Sequence, residues 1–137
     1  MEIIDRKLVD LRDIEGAVSP HQDQLDHALS ERKEALEHVA DAPGLAAYLG
    51  GIHVTLDVGE DWAVCKEMFP GVNVYFLYTR GDEEMPARFR VLYAGEKIAE
   101  VPADNLIAFT ITCANHILRF VRETNPDKKL PAVCYRV

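Results

Sequence analysis

The stretch VNVYFLYTRGDEEMPARFRVLYA, residues 72–94, holds two runs rich in aromatic and β-branched residues on either side of a polar segment. Residues 72–79 are almost continuously apolar, as expected of a central strand buried on both faces. Residues 87–94 alternate Arg88 and Arg90 with Phe89, Val91 and Tyr93, the pattern of a strand with one apolar and one polar face. Between them, Gly81, Asp82 and Pro86 are loop residues, so the two strands are expected to run antiparallel through a hairpin loop.

Working outward, Gly95-Glu96 suits a two-residue turn into KIAEV, residues 97–101, predicted as a third strand of a meander. Upstream, IHVTLDV at 52–58 alternates Ile52, Val54, Leu56 and Val58 with polar residues and predicts a half-buried strand. EDWAVCKEMF at 60–69 reads as a short helix ended by Pro70-Gly71.

Helices flank this region. Ser19 is an N-cap and Pro20 a first-turn residue for a helix running to Pro43-Gly44, with Leu25, Leu29, Leu36 and Val39 on its apolar stripe. Residues 45–49 look like one more turn before Gly50-Gly51. Ile4, Leu8, Leu11 and Ile14 recur near a helical period and predict a short helix over 2–15, with a strand as the alternative. Pro102 and Asp104 open a last long helix that stops at Asn125-Pro126, and the ends, 1–18 and 125–137, are expected to be loose or extended. The fold class is α+β: one domain, 1–137, in which a small, mainly antiparallel sheet of about four strands is packed by N-terminal helices and a long C-terminal helix.

A formal charge of -8 with no basic block argues against nucleic acid or an anionic membrane as partner. The longest apolar runs are too short for a membrane span or a signal-peptide core, which points to the cytoplasm. Three widely spaced cysteines, Cys65, Cys113 and Cys134, fit a reducing compartment better than a disulfide framework.

Residues 70–94 carry a family resemblance. Gly81, Asp82, Glu83, Glu84 and Pro86 match a G-D-E-E-F-P signature, with Met85 in place of Phe, and VPADNLIAF matches the helix start that follows it. Over roughly residues 50–120 the chain resembles the C-terminal part of an uncharacterised prokaryotic family of unknown function. That resemblance implies a cytoplasmic accessory domain rather than an enzyme with an assignable reaction. The plainer expectation for RGDEEMP is an exposed hairpin loop with solvated acids, and Arg80-Gly81-Asp82 lacks the secretion signal an adhesion motif requires.

Several constellations have residue types that chemistry uses. His53 and Asp57 with Arg88 and Arg90 would suit an anionic small molecule if their strands are near neighbours, and His53 with Asp57 would suit general base chemistry. Cys113 and His116, at i, i+3, could share a soft metal ion with a distant third ligand such as His53, Cys65 or Cys134; a buried, inert thiol is the plainer reading. Asp23, His27, Glu31, Glu34 and His38 would form a ladder on one helix face, opposite the leucines and hence solvated. No catalytic residues or cofactor are predicted. The last helix spreads its apolar residues over roughly 200° of arc, more than one sheet face covers. Either an N-terminal helix packs over the rest, or Leu106, Phe109 and Phe120 form an interface for a homodimer or another protein partner. The edge strand 97–101 is a second candidate for such association.

Overall fold

The structure, a computed structural model, describes residues 2–3 and 7–137. The chain runs β1 (Glu2–Ile3), α1 (Leu11–Glu15), α2 (Pro20–Ser30), α3 (Ala42–Leu49), β2 (Ile52–Thr55), β3 (Trp62–Phe69), β4 (Val72–Thr79), β5 (Arg88–Ala94) and α4 (Ala103–Thr124). The sheet order follows the sequence, β1 to β5, and β2 to β5 are antiparallel throughout, while β1 joins β2 in parallel. The α+β class, the small antiparallel sheet, the N-terminal helices and the long C-terminal helix are as expected. No helix among the described residues is long and apolar enough to cross a membrane.

Two elements are exchanged relative to the sequence reading. Residues 60–69 do not form a helix: they supply β3, whose Trp62, Ala63, Val64 and Cys65 are all buried because strands lie on both sides and both faces are covered. Pro70-Gly71, read as a helix stop, is the β3–β4 hairpin turn, with Gly71 at φ 78°. Conversely, residues 97–101 are not a strand. Gly95, at φ 126°, sits where a Cβ would collide with the Gly71 carbonyl oxygen, and the Lys97 N–H donates to that same oxygen at 3.0 Å. The chain then curls into a 3₁₀ turn, Ile98–Glu100, so its backbone donors are unavailable for a ladder.

The helix expected over 19–44 is three pieces. Ser19 does cap α2, its Oγ accepting from the Gln22 N–H at 3.1 Å, but α2 ends at Ser30 and a 3₁₀ turn follows over Lys33–His38. Arg32, at the break, donates to Asn115 Oδ1 on α4 at 3.1 and 3.2 Å and to the Ala28 carbonyl at 2.7 Å, a tertiary tether that holds the chain at that point. Pro43-Gly44 is a helix start rather than a stop: Asp41 caps α3 by accepting from the Gly44 N–H at 2.9 Å, and Pro43 lies in the first turn, where no N–H is needed. Residues 2–15 are likewise not one helix, since β1 and the five residues of α1 flank a bridge at Val9; Ile4 lies outside the described residues. The C-terminal tail is packed, with Leu130 and Cys134 buried and Arg122 donating to the carbonyls of Cys134 and Val137.

The helices cover one face of the sheet, where Val64, Val74, Phe76, Val91 and Tyr93 meet α4 and the N-terminal helices in the main core. The broad apolar arc of α4 is used internally: besides the sheet side it touches α2, α3, the 33–38 turn and the 132–135 turn. Leu106 and Phe120 are accordingly buried within the chain, and of the three residues expected at an interface only Phe109 is half-exposed.

The opposite face buries a second cluster, including Val54, Ala63, Tyr75 and Leu77, to which no helix residue belongs. Its closure follows from chain length. Ile3 pairs beside Thr55 at one edge, whereas Val9 pairs with Tyr93 at the other. Six residues reach at most about 21 Å, but crossing a flat sheet from β1 to the far side of β5 takes about 24 Å at about 4.8 Å per strand. The sheet is therefore curled toward its helix-free face, and Leu8 packs into the second cluster while Val9 packs into the first.

Tyr93 couples the sheet to α4. Its hydroxyl lies 2.8 Å from Thr110 Oγ1, which donates to the Leu106 carbonyl at 2.6 Å, and burial pushes the phenol up to about 12. Thr110→Val strands a buried phenol donor and should cost about 1–3 kcal/mol, whereas Tyr93→Phe leaves Thr110 bonded to Leu106 and should cost about 1 kcal/mol. Urea denaturation of the two variants checks that order.

His21 joins three elements, its ring nitrogens lying 2.8 Å from Glu15 and 2.7 Å from Asp104. The Glu15 hydrogen bond and both carboxylate charges raise its pKa above 6.5. Below about 6.5 the ring is protonated in folded and unfolded states alike and the ion pairs contribute in full; their contribution fades as pH rises through the raised folded value. Stability measured by urea denaturation should therefore fall with rising pH from about 6.5, and His21→Gln should flatten that slope.

Candidate functional site

The free edge of β5 is set by how the N-terminal segment leaves it. Val9 and Tyr93 exchange N–H···O bonds of 2.8 and 2.7 Å, and a continuing antiparallel ladder would place Leu11 opposite Val91. The ladder stops because the Leu11 N–H donates instead to the side-chain carbonyl of buried Gln22 at 2.8 Å. Asp10 then caps α1 in a reciprocal box with Asp13.

Because Tyr93 directs both backbone groups away from β4, Val91 and Phe89, two and four residues before it, direct theirs the same way. Among the described residues these outward groups have no partner. A groove of about 420 Å³ runs along this edge, walled by Ala87 to Leu92 on one side and by Asp10, Arg12, Gln22, Asp26, Ser30 and Lys33 on the other.

The charges of the groove are unevenly matched. Asp10 accepts from the Asp13 N–H, Asp26 accepts from Gln22 Nε2 at 2.7 Å, and Arg12 lies 3.4–3.7 Å from Asp10, Asp23 and Asp26. The side chains of Arg88 and Lys33 have no hydrogen-bond or ion-pair partner among the described residues. Arg90 makes one 3.4 Å contact to the Val58 carbonyl, and its Nε is buried without a partner. Burial and the neighbouring Arg88 charge lower its pKa. The unmatched charge lining this groove is positive, on a chain of formal charge -8.

The strand register sorts the expected anion-binding residues. Arg88 and Arg90 pair with Thr79 and Leu77 and share the helix-free face. His53 pairs with Val64, which places it on the helix-covered face, and β3 and β4 separate β2 from β5. Asp57 lies in the loop after β2 at φ 62°, its N–H donating to Glu60. The structure thus brings Arg88 and Arg90 together but not with His53 and Asp57, and the expected convergence of all four does not occur.

The metal candidates do not gather into a group of three or more ligands among the described residues. Cys113 is buried on α4, and burial raises its thiol pKa, which disfavours the thiolate a metal would need. His116 is half-buried, Cys65 and Cys134 are buried, and among the described residues no group of three or more His, Cys, Asp or Glu is placed to hold a metal ion. The ladder of Asp23, His27, Glu31, Glu34 and His38 is broken by the end of α2, and its members find local partners such as Arg12 for Asp23 and Glu37 for His38.

The RGDEEMP segment is a loop closed by its own hydrogen bonds. Asp82 Oδ1 accepts from the N–H groups of Glu84 and Met85 at 2.8 and 2.7 Å, which lowers the carboxyl pKa. A Cβ on Gly81 would lie 2.6 Å from the Ala87 nitrogen. Gly81 and Asp82 therefore have backbone tasks, while Glu83, Glu84, Met85 and Pro86 are exposed.

Comparison with protein-family models, with curated proteins and with solved structures gives no match. The chemistry of the groove accordingly rests on its own residues. Asp10, Gln22 and Lys33 were missed from sequence. Only the Asp10-Leu-Arg-Asp13 cap carries a local signal; Gln22 acts through a backbone group 11 positions away. Gln22→Leu keeps the approximate volume but strands the Leu11 N–H, and should destabilise the fold by about 1–3 kcal/mol, with faster amide exchange at Leu11 in hydrogen-exchange measurements.

Proposed function

We propose that this chain is an interaction module that binds an extended segment of a partner protein by strand addition to β5. The observation that carries this reading is the pair of outward backbone groups at Phe89 and Val91, open in a groove where Val9 already bonds to the same edge at Tyr93. An added strand would continue the line that Val9 begins.

A homodimer through this edge is disfavoured by charge. An antiparallel two-fold pairing that uses both Phe89 and Val91 sets Arg90 opposite Arg90 of the second copy, and moving the axis to Phe89 sets Arg88 opposite Arg90. Like charges directly opposite one another oppose association, so the reading favours a different chain as partner. The expected accessory role fits such a module, and no step of catalysis is part of it.

Selection of binders from a random peptide library, followed by hydrogen exchange on the complexes, tests the proposal. The amides of Phe89 and Val91 should exchange rapidly in the free protein and become protected in the complexes. Binders that leave both amides unprotected would show that the working surface lies elsewhere.

A further inference from the structure

Resting on strand addition at β5, we infer that the occupant is an acidic extended segment with carboxylates two residues apart, of the form acid-x-acid, seated opposite Arg88 and Arg90.

Residues at i and i+2 of a strand point to one face, so Arg88 and Arg90 both project from the helix-free face of the edge strand β5, Arg90 with one nitrogen 3.4 Å from the Val58 carbonyl. Directly opposed residues across neighbouring strands lie within side-chain reach, and opposite charges there attract. A guanidinium offers five N–H donors in a fork that matches a carboxylate. Arg88 spends none of its donors on the described residues, and Arg90 spends one, weakly, on the Val58 carbonyl.

The rest of the groove does not supply the missing anions. Asp10 and Asp26, its two acids, are engaged by Asp13, Gln22 and Arg12. Lys33 adds a third unmatched cation on the opposite wall. Glu60, the carboxylate facing Arg90, accepts from the N–H groups of Leu56, Asp57 and Val58 and is held in its loop. The positive charge of the edge is thus left for an external partner, and the backbone groups beside it specify an extended chain rather than a compact anion.

The test uses fluorescently labelled peptides of Val-Glu-Val-Glu-Val type, with Gln and Lys versions of the same length, measured by anisotropy against the full chain. The Glu peptide should bind, with affinity falling as salt rises, and the Gln version should be weaker by about ten-fold. Arg88→Glu, at an exposed position, should weaken the Glu peptide, and Arg88→Glu with Arg90→Glu should reverse the preference toward the Lys peptide. Hydrogen exchange at Phe89 and Val91 separates the possible failures. Equal binding of the Glu and Gln peptides with both amides protected would overturn the acidic specificity while leaving strand addition standing. Failure of the whole series to protect either amide would overturn strand addition on this edge together with the inference. Displacement of the Glu peptide by equimolar glutarate or inorganic phosphate would overturn the extended occupant in favour of a small-anion site.

Discussion

The N-terminal segment holds both edges of the sheet, and most of the architecture follows from that constraint. Glu2 and Ile3 pair with β2 at one edge and Val9 with β5 at the other, over a length of chain too short to cross a flat sheet. Curling lets one face bury Tyr75 and Leu77 without a covering helix, and leaves α2, α3 and α4 to cover the other face. It also accounts for β3, which lies between β2 and β4 with both of its faces buried.

The same segment creates the open edge. A strand that continued past Val9 would have covered β5; the Gln22 carboxamide and the Asp10 cap divert it into α1 after one bridge. Exposed strand edges invite pairing with other chains, and proteins commonly blunt them with charge. Here the charges are arginines on one face of the edge, which oppose pairing with a second copy and attract a segment of opposite sign. Under the proposed strand addition, one pair of residues serves both exclusion and selection.

The helix-covered side shows how polar tethers set helix boundaries that propensity leaves open. Residues 31–38 are composed as well for a helix as residues 20–30. The chain nevertheless breaks there, where Arg32 reaches Asn115, and the Asn125 side chain donates to the His38 carbonyl. Tyr93 and Thr110 place a buried hydrogen bond between β5 and α4, so the strand that carries the groove is anchored to the longest helix.

Local chemistry determined much of this in advance. The alternation of Arg88 to Tyr93, the apolar run of Val72 to Thr79, the Ser19-Pro20 helix start and the stop at Asn125-Pro126 each act through neighbouring residues, and each was legible. The choice of the other elements was not. Trp62 to Phe69 has a composition compatible with either state, and it became a strand because two strands flank it. Residues 97–101, expected as a strand from the turn signal at Gly95-Glu96, lost that role to Gly71, whose carbonyl claims the Lys97 N–H. Sequence also singled out Arg88 and Arg90, while their separation from His53 depends on a register that only strand pairing settles. The open edge depends on one side chain, Gln22, accepting from a backbone group 11 residues earlier, and such a contact has no local signature because it exists only once the chain has folded.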